Sequence, residues 1–301
     1  MDPAASRLLR TSELRRSGFT AQEVQRMRRC GELVAIRRGT YLAGALPDDS
    51  EERHRLLVRA TLGELGAEAV ISHVSAAVLH GVSTWGVRLD RVTVTRARRS
   101  GGRVHPRVHL RTAPLDPAEI VLVDGIAATS PGRTVVDVVR SVPFEQGVVV
   151  ADSALAARLV DAGALEQAVR RARGWPGAPL ARRVVAFADG RSGSVGESRS
   201  RVAIARAGLP APVLQWAVRT GDGRVREVDF GWIERRTVGE FDGRVKYGRL
   251  LRPGEDAGEA VYREKVREDW LRAEGLGVAR WGWSDLADFR AAAARIRRAF
   301  R

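Results

Sequence analysis

The chain has 301 residues, of which 44% are apolar and 29% charged, a composition typical of a globular protein with two or three domains. No run approaches the ~18 apolar residues of a membrane span, and the first ten residues lack the apolar core of a secretory signal. The single cysteine, Cys30, excludes an internal disulfide framework and favours the cytoplasm. The net charge of +15 favours a polyanionic partner, although an arginine-rich composition alone would also produce it.

The first 45 residues predict a winged helix-turn-helix, in which a pair of helices is followed by a β-hairpin. A short helix ends before Gly18, and Thr20 and Glu23 have the spacing of a capping box that starts a second helix. Residues 33–36 and 40–42 then read as two short strands around a basic turn.

The outward face of the second helix carries side chains suited to nucleic acid. Residues 21, 24 and 27 form the predicted inward stripe, so amide and guanidinium groups take the opposite face. Two arginines at the hairpin tip would reach the DNA backbone or minor groove. The predicted contacts of this head are Gln22, Gln25, Arg26, Arg29, Arg37 and Arg38. The alternative is an ordinary solvated face, since arginine is the usual surface residue of this chain.

The head resembles the N-terminal domain of the AbiEi-type antitoxins of abortive-infection systems. The resemblance is carried by a G-x-T-x-x-E helix start at residues 18–23 and a G-x-L-x-x-x-R-R-G-x-Y wing at residues 31–41. ISHVSAAVLHG at residues 71–81 and DGIAATSPGRTVVDVV at residues 124–139 extend it into the next region. It implies a sequence-reading head that binds promoter DNA and a cognate toxin as a protein partner.

Residues 46–189 alternate helical and strand-like runs and are predicted to form an α/β middle domain, a scaffold without a catalytic signature. His73 and His80 are two helical turns apart rather than one, so packed or capping histidines are favoured over a metal site. Arg133 and Asp137 have the spacing of an ion pair on one helix face.

A Gly- and Ser-rich break at residues 189–194 marks the predicted start of a C-terminal domain, residues 190–301. A helix is predicted at its beginning, and three consecutive strands joined by tight turns follow. These strands are residues 213–219, 225–233 and 237–242.

Carboxylates are predicted to converge on the second and third strands. If the two strands pair as a hairpin, their alternation gathers Asp229, Glu240 and Asp242 on one side. Oxygen ligands at this density suit a hard cation such as Mg²⁺, or Mn²⁺ in its place, held together with water and a substrate phosphate. Glu197, in the first turn of the preceding helix, would add a ligand or would serve only the capping box that starts at Ser194.

Lys246 completes the predicted catalytic group. It is one of only two lysines in a chain with 51 Lys and Arg residues, and arginine is a poor substitute where a proton must be exchanged. Lys246 would orient or deprotonate an attacking water, or offset charge on the phosphate. The alternative is a solvated loop lysine.

This helix and its strands resemble the PD-(D/E)XK nuclease superfamily and, within it, the very-short-patch-repair-like domains. The matching pieces follow in order at residues 196–201, 208–210, 228–230 and 239–247. The resemblance implies a restriction-endonuclease-like α/β domain with a central mixed sheet, and Asp229 and Glu240 as metal ligands. It departs at Asp242, which stands where the superfamily has lysine, so Lys246 would have to reach the site from the following loop.

The sequence thus predicts a multi-domain α/β protein that binds double-stranded DNA through its head and cleaves phosphodiester bonds with a magnesium-dependent endonuclease domain. A later basic helix would place Arg263 and Arg267, one turn apart, on phosphates. The alternative is a non-catalytic transcriptional regulator or antitoxin-like protein with a degenerate nuclease fold, and a nuclease acting on RNA is a third hypothesis.

Overall fold

The computed structural model describes residues 8–66, 68–98, 101–219, 221, 223–243 and 270–300. The chain divides into two compact units, the first comprising Met1–Val150 and Leu159–Ala186, the second Ala151–Arg158 and Phe187–Arg301. Both combine helices with sheets, so the fold is mixed α/β. No helix within these described ranges is long and apolar enough to cross a lipid bilayer.

The first unit begins with two helices beside a three-stranded antiparallel sheet in the order β1-β3-β2. Its elements are β1 (Leu8–Arg10), α1 (Thr11–Arg16), α2 (Ala21–Arg29), β2 (Leu33–Arg37) and β3 (Thr40–Ala43). The predicted capping box of α2 is confirmed, because Thr20 Oγ1 accepts from Glu23 N at 3.2 Å and Glu23 Oε2 accepts from Thr20 N at 2.7 Å. Leu14, Val24 and Leu33 form a small core beneath the two helices.

A six-stranded mixed sheet follows in the order β6-β7-β5-β4-β9-β8. The elements of this part are α3 (Ser50–Leu62), β4 (Val70–Ile71), α4 (His73–Leu79), β5 (Val92–Arg96), β6 (Arg103–Val104), β7 (Val108–Thr112), β8 (Ile120–Val123) and β9 (Ile126–Thr129). Strands β5 and β7 run parallel, as do β4 and β9. Ile36 and Leu42 of the hairpin lie in the same apolar core as Leu56, Val92 and Val94, so the hairpin packs directly on this part of the unit.

Four helices complete the first unit and lead into the second. They are α5 (Pro131–Val139), α6 (Phe144–Ala156), α7 (Ala162–Arg171) and α8 (Ala178–Phe187). Helix α5 starts with Ser130 at the N-cap, whose side chain makes no capping hydrogen bond, and with Pro131 in the first turn. Its valines are fully or almost fully buried, which makes it a central helix of this unit.

The second unit contains a four-stranded sheet in the order β10-β11-β12-β13. Its elements are α9 (Val195–Arg206), β10 (Val213–Arg219), β11 (Val225–Trp232), β12 (Thr237–Asp242), β13 (Gly277–Gly282) and α10 (Arg290–Ala299). The first three strands are antiparallel and β13 runs parallel to β12. The three predicted strands are therefore confirmed, the second ending one residue earlier than expected, at Trp232.

A hydrogen bond from β13 and a close contact with β12 help to fix helix α9 on this sheet. The Trp281 indole N–H donates to Ser200 Oγ at 2.7 Å, which satisfies the polar atom of a tryptophan that is only 2% exposed. A Cβ added at Gly196 would overlap the ring of Phe241, so the absence of a side chain lets the first turn of α9 lie directly on β12.

Candidate functional site

Glu197 is held at the start of α9 by three hydrogen bonds. Its Oε2 accepts from Gly193 N at 2.8 Å and from Gln215 Nε2 at 2.9 Å, and its Oε1 accepts from Ser194 Oγ at 2.7 Å. Ser194 Oγ in turn accepts from Glu197 N at 3.2 Å, so the capping interaction expected from the sequence is present. The bond to Gln215 of β10 extends its role from the helix start to the sheet, with the carboxylate 9% exposed.

Asp229 connects the two strands on which the acids were predicted to converge. Its Oδ2 accepts a hydrogen bond of 2.8 Å from the backbone N–H of Phe241. The ladder between β11 and β12 pairs Phe230 with Gly239, so Asp229 stands just beyond the last regular pair. A side chain there continues the cross-strand bonding that the backbone would otherwise make.

Glu240 is the most buried of the strand carboxylates, with 6% of the residue exposed. Arg280, its neighbour in the parallel register of β12 and β13, places Nη2 2.9 Å from Glu240 Oε2. A buried carboxylate costs free energy unless a charge balances it, and Arg280 supplies that charge.

Phe241 lies at the centre of this arrangement. Its ring packs on Gly196, the residue before Glu197; its N–H donates to Asp229; and Glu240 precedes it in β12. Phe241 therefore links the helix and the two strands that carry Glu197, Asp229 and Glu240. Trp283 packs edge-on against the same ring, with 5.0 Å between the ring centroids.

The remaining predicted residues of this site are placed differently. Asp242 ends β12 beside Gly282 and is partly exposed. Lys246, Arg263 and Arg267 lie outside the described residues. Within the described part of the chain, no group of three or more His, Cys, Asp or Glu side chains is arranged to hold a metal ion. A cation site would have to be built on the pair of Asp229 and Glu240, whose oxygens are of the type that Mg²⁺ prefers.

Five of the six side chains predicted to contact nucleic acid through the head are exposed, and the sixth is paired within the protein. Gln22, Gln25, Arg26, Arg29 and Arg38 are exposed, as expected. Arg37 is a correction, because its side chain is only 11% exposed and forms an ion pair with Glu64 that turns it towards the protein. Ala21 is exposed rather than inward, since it lies in the first turn of α2 beyond the core of Leu14 and Val24.

A second polar cluster lies in the first unit, around the fully buried Asp137 of α5. Arg133 Nε lies 2.8 Å from Asp137 Oδ2 and Arg140 Nε lies 3.1 Å from its Oδ1. The Arg133 bond confirms the predicted ion pair. The ring of His73 joins the cluster, with Nδ1 3.1 Å from Ser72 Oγ and 3.9 Å from Asp137 Oδ2.

His73 is a packed histidine, as the sequence predicts, with 4% of the residue exposed. Burial lowers its pKa to about 3, against the opposing effect of Asp137, so the ring is neutral near pH 7. Its φ of +51° is left-handed, a conformation that residues other than glycine seldom adopt. Helical spacing did not predict the surroundings of His73, because the charged groups near its ring come from Asp137 of α5 and from Arg140, which follows α5.

No protein-family model matches the chain. A crystal structure of the RV2827C protein from Mycobacterium tuberculosis aligns with a TM-score of 0.39 and 17% identity, covering 70% of this chain and 83% of that chain; a likeness this distant supports no argument about fold or function. Two curated relatives are much more similar. The uncharacterized proteins MT2308 and Rv2248, from two strains of Mycobacterium tuberculosis, are each 31% identical over 262 residues, which cover 86% of this chain and 88% of theirs. The chain therefore belongs to the family of the uncharacterized protein Rv2248.

Proposed function

We propose that this chain is a DNA-binding protein whose second unit is a divalent-metal-dependent endonuclease. The single observation that carries the proposal is that Phe241 contacts the elements of all three acids. Its ring packs on Gly196, the residue before Glu197; its N–H donates to Asp229; and Glu240 precedes it in β12. Asp229 and Glu240 are proposed to bind one cation at this point, within reach of a phosphodiester.

The order of elements in the second unit supports the same proposal. Helix α9 is followed by three antiparallel strands, and β13 then runs parallel to the third strand on the edge of the sheet. This order agrees with the resemblance to the PD-(D/E)XK superfamily, in which the strand acids bind the metal. We therefore assign the restriction-endonuclease-like fold to this unit as part of the proposal.

In the proposed mechanism, Asp229 and Glu240 would hold the cation, and Glu197, aligned by Gln215, would accept the proton of the attacking water. A bound Mg²⁺ or Mn²⁺ ion would lower the pKa of that water and offset charge on the phosphate. The water oxygen would form the new bond to phosphorus as its proton passes to Glu197, and the bond to the leaving 3′ or 5′ oxygen would break. Lys246 is proposed to donate a proton to the leaving oxygen or to balance its charge.

The ion pair between Glu240 and Arg280 sets a condition on this mechanism. Arg280 Nη2 lies 2.9 Å from Oε2, one of the two Glu240 oxygens to which a cation could bind. Two positive charges at one carboxylate repel each other, so binding of the cation favours a shift of Arg280 towards the substrate phosphate. An arginine that leaves an acid for a phosphate exchanges one charge-assisted hydrogen bond for another.

The head is proposed to position the nuclease on double-stranded DNA as a winged helix-turn-helix. Helix α2 presents Gln22, Gln25, Arg26 and Arg29 on its exposed side, and the hairpin presents Arg38. Amide and guanidinium groups on one helix face suit base edges and phosphates in a major groove. Arg37 is not part of this surface, because it is paired with Glu64.

The nuclease is tested by incubating the full chain with supercoiled plasmid and Mg²⁺, Mn²⁺ or EDTA. Nicking that requires the metal and is lost in Glu240→Gln is expected, while Glu234→Gln, an exposed acid on the turn after β11, serves as the matched control. Metal-independent nicking, or equal nicking by both variants, contradicts the proposal. A parallel reaction on single-stranded RNA separates DNA from RNA as the substrate.

The head is tested separately by fluorescence anisotropy on duplex DNA over a range of salt concentrations. The double variant Arg26→Ala/Arg29→Ala is expected to bind more weakly and to lower the slope of log affinity against log salt by about 2. Arg170→Ala/Arg171→Ala, two exposed arginines of α7, is the control for net charge. Unchanged binding by the α2 variant removes the assignment.

A second candidate function is a non-catalytic transcriptional regulator or antitoxin-like protein that retains the nuclease fold as a binding surface, with a toxin as its partner. The observation that favours it is again the pairing of Glu240 with Arg280, together with Asp242 where the superfamily pattern has lysine. DNA binding without any metal-dependent cleavage, under conditions in which the protein is folded, is the result that selects it.

A further inference from the structure

A pocket in the first unit combines positive charge with an unusual absence of acids. Its volume is about 460 Å³, and its lining includes three arginines, two histidines and a tryptophan but no aspartate or glutamate. The charged and aromatic members are His73, Arg103, His109, Arg111, Arg140 and Trp175. A pocket of this size lies in the range of small-ligand sites, and its charge selects an anion.

Arg111 lines the pocket with a guanidinium that is only partly paired. Its Nε is buried and makes no hydrogen bond to any described residue. Burial and the neighbouring charge of Arg140 both lower the pKa of its guanidinium. A guanidinium donor without an acceptor costs free energy, and an anion in the pocket would balance the charge of this side chain.

The charges around the pocket do not balance either. Arg111, Arg133 and Arg140 face the single buried carboxylate of Asp137, with Glu119 paired to the far end of Arg133 at 2.6 Å. Because two carboxylates stand against three guanidinium groups, one positive charge remains within this cluster. An anion bound between Arg111 and Arg140 would remove the excess and their mutual repulsion.

The backbone conformation of His73 also supports a binding site at this pocket. A residue other than glycine at φ +51° is strained and persists where the surroundings impose the conformation, which is common in binding sites. The neutral ring places Nε2 3.4 Å from Arg140 Nη2, beside the guanidinium that lines the pocket. The other face of Arg140 lies over Trp175, 5.4 Å from the ring centroid.

The remaining residues that line the pocket indicate the size and polarity of the ligand. Apolar side chains, among them Val104, Leu110, Pro114 and Pro176, also line the pocket. A ligand with one anionic end and a larger, partly apolar body therefore fits better than a small inorganic ion. We propose that this pocket binds a phosphate monoester of nucleotide size through Arg111 and Arg140, either as a free nucleotide or as the phosphorylated end of a nucleic-acid strand.

This inference is independent of the proposed nuclease, since the pocket belongs to the first unit and uses none of its residues. It is tested by isothermal titration of the full chain with adenosine 5′-monophosphate, adenosine, inorganic phosphate and a trinucleotide with and without a 5′-phosphate. Adenosine 5′-monophosphate, the 5′-phosphorylated trinucleotide, or both are expected to bind at least tenfold more tightly than their unphosphorylated forms. Tighter binding of the monophosphate only identifies a free nucleotide as the ligand. Tighter binding of the phosphorylated trinucleotide only identifies a strand end.

The variant Arg111→Met keeps an unbranched stem and removes the guanidinium group with its charge, and it is expected to weaken that binding at least tenfold. Arg171→Met, an exposed arginine of α7, is the matched control and is expected to bind like the wild type. A thermal melt of each variant establishes that it is folded, and Arg140→Met provides a second variant if Arg111→Met is not. Equal binding of adenosine and its monophosphate, absence of binding by every probe, or unchanged binding by folded variants overturns the proposal.

Discussion

The carboxylate of Asp229 accepts a hydrogen bond of 2.8 Å from the backbone N–H of Phe241. This bond gives one acid two roles, because it ties β11 to β12 and holds a carboxylate next to Glu240. A substitution there can therefore change the fold and the chemistry separately, depending on whether the new side chain still accepts the bond.

We expect Asp229→Asn to keep most of the stability of the second unit, since its amide oxygen still accepts the hydrogen bond from Phe241 N–H. Asp229→Leu is expected to lose about 1–3 kcal/mol, because it leaves that donor without a partner. Urea unfolding of both variants measures the difference. Equal loss in the two variants would show that the hydrogen bond contributes little.

The contact of Gly196 with Phe241 gives a second expectation. An alanine in a helix is ordinarily favoured over glycine by about 1 kcal/mol, but the added Cβ would overlap the Phe241 ring. Gly196→Ala is therefore expected to destabilise the chain by about 1–3 kcal/mol. Gly163→Ala in α7 is the control, because its nearest neighbour allows an ordinary contact, and it should stabilise slightly. Thermal unfolding of the two variants gives the sign, and stabilisation by Gly196→Ala would contradict the packing.

Much of the second unit could be predicted from the sequence, because local signals determine it. Alternating apolar residues and tight turns marked β10, β11 and β12 to within a residue, and Ser194 and Glu197 marked the start of α9. The ion pair of Glu240 could not be predicted from the sequence. Its partner Arg280 lies forty residues later in the chain and comes next to Glu240 only through the parallel pairing of β12 with β13.

Long-range contacts also explain why the surroundings of Arg37 and His73 in the first unit differ from what the sequence predicts. Arg37 was expected at an exposed turn and instead meets Glu64, a residue beyond α3 that only the packing of the hairpin brings close. His73 was judged by helical spacing to its neighbour His80, whereas its environment comes from α5 and Arg140. Long-range contacts of this kind leave no periodic signal in a single sequence.

Acid should destabilise the first unit through His73. Its folded pKa of about 3 lies below the value of about 6.5 in an unfolded chain, so the unfolded state takes up the proton first. Stability is therefore complete above pH 6.5 and is lost as the pH falls towards 3. At pH 5 the loss is about 2 kcal/mol, from 1.5 pH units at about 1.36 kcal/mol each.

Urea midpoints measured between pH 7.5 and pH 5 test this expectation. His73→Asn, which tolerates the left-handed backbone, should show a smaller fall with pH than the wild type. Burial also lowers the pKa of His54 and of His109, so some pH dependence should remain in the variant. Identical pH profiles of the two proteins would show that His73 titrates normally in the fold.

Arg280 should compete with a cation for Glu240. Arg280→Met removes a positive charge 2.9 Å from the carboxylate, and Mn²⁺ is expected to bind about tenfold more tightly, or by about 1.4 kcal/mol. Isothermal titration with Mn²⁺ measures the change, and Arg295→Met, paired with Asp285 on the same unit, is the control. Unchanged affinity in Arg280→Met would indicate that Glu240 binds no cation.

The central claim is that the carboxylates around Phe241 support hydrolysis of DNA. Its most direct measurement is the initial rate of Mg²⁺-dependent plasmid nicking by Asp229→Asn beside the wild type and Glu234→Gln. The account predicts a loss of at least about 100-fold in Asp229→Asn, with wild-type stability and a wild-type rate in Glu234→Gln. Nicking by Asp229→Asn at the wild-type rate, or no metal-dependent nicking by the wild type, would contradict it.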